Sequence, residues 1–180
     1  MLFRSGLPLA RIVGTGSYVP EKVLTNADFE RMVETTDEWI VSRTGIRERR
    51  VCSDTQASSD LAFEAAVKAL DAAGVKPADL DLIVCATVTP DTPFPSTACR
   101  LQERLGARNA AALDIGAACS GFIYGLHIFR NLIATGAVRR VLVIGVECLS
   151  KITNYQDRTT CVLFGDGAGA VVLVDRKSVV

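Results

Sequence analysis

The stretch that decides the fold is AALDIGAACSGFIYGL, residues 111–126. It opens with a short apolar segment typical of a strand, passes through small residues and continues with the apolar spacing of a helix. Cys119 therefore lies where a strand gives way to a helix. A thiol in that position faces unpaired backbone N–H groups, which stabilise a thiolate and hold a developing oxyanion. We interpret Cys119 as a candidate nucleophile, against the alternative of an inert cysteine in the core.

The segments on either side of this stretch alternate between strand and helix patterns. The most regular helix has Ser58 or Ser59 as its N-cap and ends at Gly74. Strands that are apolar on both faces and alternate with helices are typical of a largely parallel sheet covered on both sides. The patterns predict strands over 11–19, 82–88, 111–115, 141–146 and 170–174, and further helices over 27–33 (capped by Asn26), 37–43, 96–105 and 121–135.

Length and composition limit the classes of protein to which the chain can belong. The chain has 180 residues, of which 49% are hydrophobic, so it has the length and apolar content of one globular domain. Twenty basic and twenty acidic residues leave no net charge, so nothing global favours nucleic acid or a membrane surface as partner. The six cysteines form no C-x-x-C pair and there is one His, so we expect no metal site and a reducing, cytoplasmic location.

The two ends of the chain are expected to be non-native. Residues 2–5 and 175–180 can be encoded by DNA segments that are nearly reverse complements of each other. The native sequence is therefore expected to run from about residue 6 to residue 174.

Two further motifs have simpler explanations than catalysis. His127 lies eight residues beyond Cys119, about 12 Å along a helix, so it is not the base for that thiol. The glycines of residues 165–169 have the spacing G-x-G-x-G and lead into a strand, which does not fit a dinucleotide loop. They predict a close approach of backbone to the nucleophile or to packed strands.

Four arginines follow the only Trp of the chain, Trp39, and they are Arg43, Arg47, Arg49 and Arg50. An aromatic ring beside guanidinium groups suits a ligand with a base and phosphates, because the ring stacks and the guanidiniums pair. A solvated basic loop beside a core Trp explains the same pattern. The residues alone leave both interpretations open.

Five motifs together resemble β-ketoacyl-acyl-carrier-protein synthase III. They are GTGSYVP (14–20), TDEWI (36–40), RTGIRER (43–49), DIGAACSGF (114–122) and FGDGAGA (164–170). The resemblance implies an α/β, thiolase-like fold, of which this chain is the N-terminal half. The whole fold has αβαβα layers, each half contributing a mostly parallel mixed sheet covered by helices, and the protein is usually a homodimer.

The same resemblance implies the chemistry. Cys119 would take an acetyl or similar acyl group from acyl-CoA and condense it with malonyl-acyl carrier protein, which initiates type II fatty-acid biosynthesis without a cofactor. Trp39 would stack on the CoA adenine, Arg43 and Arg158 would hold the nucleotide, and Thr35 would lie at the mouth of the site. Phe94, Leu149 and Phe164 match positions that line the acyl pocket or its dimer wall.

Part of the family's machinery is missing from the chain. The resemblance places a catalytic His, a catalytic Asn and an oxyanion-hole Gly in the second half, so we expect this chain alone to be inactive in condensation. Hydroxymethylglutaryl-CoA synthase is disfavoured, because residues 84–90 contain no Glu. A polyketide-type or other thiolase-superfamily condensing enzyme stays open, as does a non-catalytic thiolase-fold partner subunit, although such partners usually lose the Cys.

Overall fold

The computed structural model describes residues 10–175 and places a five-stranded sheet at its centre. The strands of these residues are β1 (Ala10–Tyr18), β2 (Lys22–Thr25), β3 (Glu48–Val51), β4 (Leu82–Ala86), β5 (Ala111–Ile115), β6 (Arg140–Cys148) and β7 (Asp166–Asp175). The order in the large sheet is β1-β7-β6-β4-β5. β4 pairs in parallel with β5 and β6, whereas β7 runs antiparallel to β6 and β1. Four of the five strands thus share one direction, which confirms the predicted mixed, mostly parallel sheet.

Helices cover both faces of the sheet, as predicted. They are α1 (Asn26–Glu30), α2 (Asp37–Thr44), α3 (Ser58–Ala73), α4 (Thr97–Leu105) and α5 (Gly121–Ala134). Alternate residues of the central strands point to opposite faces, because successive side chains of a strand do so. Ile83 and Leu142 pack in the core with α3 and α4, whereas Val84 and Val143 pack in a second core with α5.

β2 and β3 form a separate antiparallel ribbon that the sequence did not predict. Their sequences, KVLT and ERRV, are only four residues long, and ERRV is mostly charged. They therefore lack the long apolar run that marks a buried strand.

The predicted N-caps of α1 and α3 are wrong. Thr25, not Asn26, caps α1, and the amide of Asn26 instead donates to the carboxylate of Asp37 and to the carbonyl of Ile46. The N-cap position of α3 is Ala57, which has no side-chain acceptor. Asp60 compensates, since its carboxylate accepts a hydrogen bond of 2.8 Å from the Ala57 N–H.

The glycines of the GTGSYVP motif allow β1 to lie directly against α3. A Cβ atom on Gly16 would come within 2.2 Å of the Ala65 carbonyl oxygen, and one on Gly14 within 2.3 Å of the Ala69 oxygen. Any larger residue would force the strand and the helix apart. This motif therefore serves backbone packing.

The expectation that the ends are non-native falls mostly outside the described residues. Residues 1–5 and 176–180 lie outside them, and Asp175 is the last residue of β7, in register with Ala10. No helix within residues 10–175 is both long enough and apolar enough to cross a membrane.

Candidate active site

Cys119 lies in a single 3-10 turn, Ala118–Ser120, between the end of β5 and the first residue of α5. Its side chain is exposed. Ala118 has a φ of 45°, in the left-handed region that costs a residue with a side chain on the order of 1–3 kcal/mol. Gly121, which follows the turn, packs closely against β4, since a Cβ on Gly121 would lie 3.0 Å from the Ala86 Cβ atom. The strand–turn–helix placement predicted for the thiol is confirmed.

Cys119 lines a cavity of about 520 Å³, referred to below as the Cys119 cavity. It lies at the carboxyl ends of β4 and β6, the edge where ligands bind in open α/β sheets. Most of the lining is apolar, which suits an acyl chain. The lining residues are Ala86, Val88, Ala118, Cys119, Phe122, Gly145, Val146, Glu147, Leu149, Phe164, Gly165 and Gly167.

Glu147 is a cavity residue that the sequence reasoning missed. Its carboxylate accepts hydrogen bonds from the Val88 N–H at 2.9 Å and from the Thr89 hydroxyl at 2.6 Å. The Thr87 hydroxyl donates a longer bond of 3.4 Å. Glu147 thus fixes the loop after β4, which forms one wall of the cavity. A signal was present, since a carboxylate directly follows the apolar run at the end of β6.

The three predicted pocket residues lie in different surroundings. Leu149 and Phe164 line the Cys119 cavity. Phe94 does not, and its side chain is 88% exposed, so it forms no part of the pocket within one chain. Its alternative role, in a pocket wall across a dimer, stays a prediction.

The predicted CoA residues lie on α2 and in the segment after β6. The guanidinium carbon of Arg158 lies 5.5 Å from the centre of the Trp39 ring. Arg43 is exposed and lies four residues after Trp39 on α2, which places the two on one helix face. The buried hydroxyl oxygen of Thr35 has no hydrogen-bond partner among residues 10–175.

Arg49 does not belong to this group. Only 4% of it is exposed, and its Nε donates to the Val162 carbonyl at 2.8 Å. Another guanidinium nitrogen donates to Asn26, and the group lies over the Phe29 ring at 4.7 Å. Burial lowers the pKa of Arg49. A ligand-binding role for this arginine is therefore wrong, because its donors already serve to join β3 to the chain around Val162.

The six thiols differ sharply in environment. Four of them are buried, and burial raises the pKa of each, namely Cys52, Cys85, Cys148 and Cys161. Cys99 is half-buried and Cys119 is exposed. His127 is exposed on α5 and does not line the Cys119 cavity. Only Cys119 combines access to solvent with a place in the cavity.

Comparison with known proteins shows which family the chain is similar to. The family profile described as 3-oxoacyl-[acyl-carrier-protein (ACP)] synthase III matches residues 113–179. A β-ketoacyl-[acyl-carrier-protein] synthase III of Caldanaerobacter subterraneus subsp. tengcongensis is 64% identical over 164 residues, which are 91% of this chain and 50% of that protein. The corresponding protein of Geobacillus kaustophilus is 62% identical over 91% of this chain and 53% of its own length. Over these shared residues the chain is similar to β-ketoacyl-acyl-carrier-protein synthase III.

Solved structures agree with this similarity. The 3-oxoacyl-[acyl-carrier-protein] synthase III of Aquifex aeolicus superposes with a TM-score of 0.91 at 51% identity, over 94% of this chain and 55% of that one. A priming β-ketosynthase from the R1128 polyketide pathway gives a TM-score of 0.91 at 36% identity, over 97% and 52%. The fold is therefore the thiolase-like fold of these enzymes. The chain spans about half the length of the curated relatives it matches.

Proposed function

We propose that the protein containing this chain is a β-ketoacyl-acyl-carrier-protein synthase III, an acyltransferase in which Cys119 is the nucleophile. The observation that carries the proposal is the exposed Cys119 thiol in the lining of an apolar cavity, directly before α5. A thiolate is both a strong nucleophile and a good leaving group, which transfer between two thioesters requires.

The first half-reaction uses residues of this chain. The Cys119 sulfur attacks the thioester carbonyl of acyl-CoA, the carbon–sulfur bond to CoA breaks, and CoA leaves as a thiolate that takes up a proton. The Cys119 backbone N–H is a donor for the tetrahedral oxyanion. In the second half-reaction the acyl group condenses with malonyl-acyl carrier protein and carbon dioxide is released. The His and Asn that this step needs are expected outside this chain.

CoA would bind at the surface formed by α2 and the segment around Arg158. Trp39 would stack on the adenine, and Arg158, already within cation–π distance of that ring, would lie over the base or pair with a phosphate. Arg43 would supply a second positive charge to the nucleotide end. Thr35, whose hydroxyl is unpartnered among the described residues, would donate or accept a hydrogen bond at the mouth.

The acyl group of the thioester would occupy the Cys119 cavity. The bulk of Leu149 and Phe164 would limit the length of the starter chain, and Phe94 would complete the wall from the second subunit of a homodimer. The proposed role requires Cys119 to stay a free thiol, which a reducing, cytoplasmic location provides.

The remainder of the protein would cover α5. Its outer side carries apolar side chains that are 36–60% exposed, namely Ile123, Tyr124, Ile128 and Leu132. A contiguous apolar strip of this kind marks a surface that another part of a protein covers. Because the relatives are about twice as long as this chain, we propose that their second half supplies the cover.

The test separates the two half-reactions. A chimera joins this chain to the part of the Caldanaerobacter relative that it does not match, and the chimera is incubated with acetyl-CoA. Intact-mass spectrometry is expected to show one acetyl group, released by neutral hydroxylamine, and addition of malonyl-acyl carrier protein is expected to give a 3-ketoacyl product. The Cys119→Ala chimera is expected to show neither acetylation nor the 3-ketoacyl product, whereas the Cys99→Ala chimera is expected to show both. A chimera that folds yet takes no acetyl group contradicts the proposal.

The polyketide neighbour supports a second candidate, a priming synthase with a different starter unit. The same chimera tests it, because a series of acyl-CoA substrates of increasing length reports the starter preference. A preference for acetyl-CoA favours fatty-acid initiation, whereas a preference for longer chains favours the priming synthase. A non-catalytic partner subunit would accept none of them.

A further inference from the structure

Two buried cysteines from distant parts of the chain are in direct contact. The Sγ atoms of Cys52 and Cys148 lie 3.1 Å apart, although the residues are separated by 96 positions in sequence. Cys52 directly follows β3, and Cys148 is the last residue of β6. Their side chains belong to the main core, and the residues are 6% and 1% exposed. Neither thiol has a role in the proposed acyl transfer.

The backbone around this pair is held by a third residue. The Asp166 carboxylate accepts a hydrogen bond of 2.7 Å from the Cys52 N–H and one of 2.8 Å from the Ser150 N–H, and the Ser150 hydroxyl also donates to it. The Cys148 N–H donates to the Thr89 hydroxyl at 2.9 Å. Both cysteines therefore sit on segments that are fixed relative to each other, and a disulfide needs the two sulfurs to approach by only about 1 Å.

We propose that Cys52 and Cys148 are a dithiol–disulfide pair, oxidised by low-molecular-weight disulfides of the glutathione type. Cys52 reacts first, when the exposed loop that it starts (Ser53, Asp54 and Thr55) opens and brings its thiol into contact with solvent. Its sulfur attacks glutathione disulfide, the S–S bond of that molecule breaks, and one glutathione leaves with the proton of Cys52. Cys148 then attacks the mixed disulfide, and the second glutathione leaves with the proton of Cys148. The two thiols lose two electrons and the oxidant gains them.

The position of the pair gives the oxidation a consequence. Cys148 lies between Glu147 and Leu149, and both of these line the Cys119 cavity. The disulfide joins this wall of the cavity to the residue that follows β3. It also links two cysteines that are 96 positions apart in sequence, which restricts the unfolded state more than the folded one. Oxidation is therefore expected to stiffen the cavity wall and to raise Tm.

The test uses the 180-residue chain in glutathione buffers of increasing oxidised fraction. Samples are quenched in acid, free thiols are alkylated, and proteolytic peptides are mapped by mass spectrometry. We expect a cross-linked peptide joining Cys52 to Cys148, removed by dithiothreitol, and a Tm rise of roughly 5–15 °C. Cys148→Ser is expected to show neither, whereas Cys161→Ser, which alters a buried thiol outside the pair, is expected to show both.

Two internal checks make a negative result decisive. Glutathionylation of the exposed Cys119 in the same sample shows that the oxidant is active. Refolding of the unmodified chain in the same buffers gives both buried thiols access to the oxidant, so this measurement does not depend on the stability of a variant. Cys52 and Cys148 recovered as free thiols after refolding, or joined to other cysteines, would overturn the proposal.

Discussion

The guanidinium carbon of Arg158 lies 5.5 Å from the centre of the Trp39 ring, so the only Trp of the chain is already paired with a cation before any ligand binds. The pair joins α2 to the segment that follows β6. An adenine that stacks on the indole would meet this guanidinium as well, since Arg groups stack on aromatic faces.

The first prediction uses Trp39 as its own reporter. Titration with CoA or adenosine 3′,5′-bisphosphate is expected to quench the fluorescence of the chain, and pantetheine, which lacks the base, is expected to leave it unchanged. Arg158→Ala is expected to weaken binding about 5- to 30-fold, the equivalent of 1–2 kcal/mol. Arg108→Ala, which removes an exposed arginine after α4, is the matched control. Equal affinity of the Arg158 and Arg108 variants would refute the proposed nucleotide site.

A second prediction follows from thiol exposure. Iodoacetamide is expected to modify Cys119 first, Cys99 more slowly, and the four buried cysteines only when the structure around them opens, because the reagent attacks an accessible thiolate. Burial raises the pKa of Cys52, Cys85, Cys148 and Cys161, which keeps them as thiols at neutral pH. Peptide mapping over time measures the order. Modification of Cys85 as fast as Cys119 would contradict the structure.

The same buried thiols make stability depend on alkaline pH. Their folded pKa values lie above those of the unfolded chain, so the unfolded state releases protons first as pH rises. Stability is thus complete below the unfolded thiol pKa and is expected to fall between about pH 8 and pH 10. Urea unfolding at several pH values gives the free energy of unfolding across this range. This free energy is expected to fall less steeply with pH for Cys85→Ala than for the unaltered chain. An equally steep fall in both proteins would show that Cys85 does not contribute to the pH dependence of stability.

Backbone packing at β1 gives a prediction with a close control. Gly16→Ala is expected to destabilise the chain by about 3 kcal/mol, because the new Cβ would lie 2.2 Å from the Ala65 carbonyl oxygen. Gly169→Ala places a Cβ with nothing within 4 Å in the neighbouring strand β7, and its cost is expected to be small. Urea unfolding of both variants measures the difference. Comparable costs would mean that contact with α3 is not what requires glycine at position 16.

Sequence patterns predicted the elements whose signal is local. The strand at 111–115, the turn carrying Cys119 and the following helix were expected, because apolar spacing and glycine positions define them within a few residues. The ribbon of β2 and β3 was missed because its pairing joins two short segments far apart in sequence. The sequence left a ligand-binding role for Arg49 open, because sequence spacing does not show that its guanidinium is buried against Val162. Burial and long-range partners had to come from the structure.

Glu147 supplies the last prediction, since it is the cavity carboxylate that only the structure revealed. Glu147→Ala leaves the Val88 N–H and the Thr89 hydroxyl without their acceptor, which is expected to cost about 1–3 kcal/mol. Glu147→Gln keeps one oxygen acceptor and is expected to cost less, and Glu64→Gln on the exposed side of α3 serves as control. Urea unfolding gives the three values. If Glu147→Ala costs no more than Glu64→Gln, the loop after β4 is fixed by its own backbone, and the carboxylate is instead available to a ligand in the cavity.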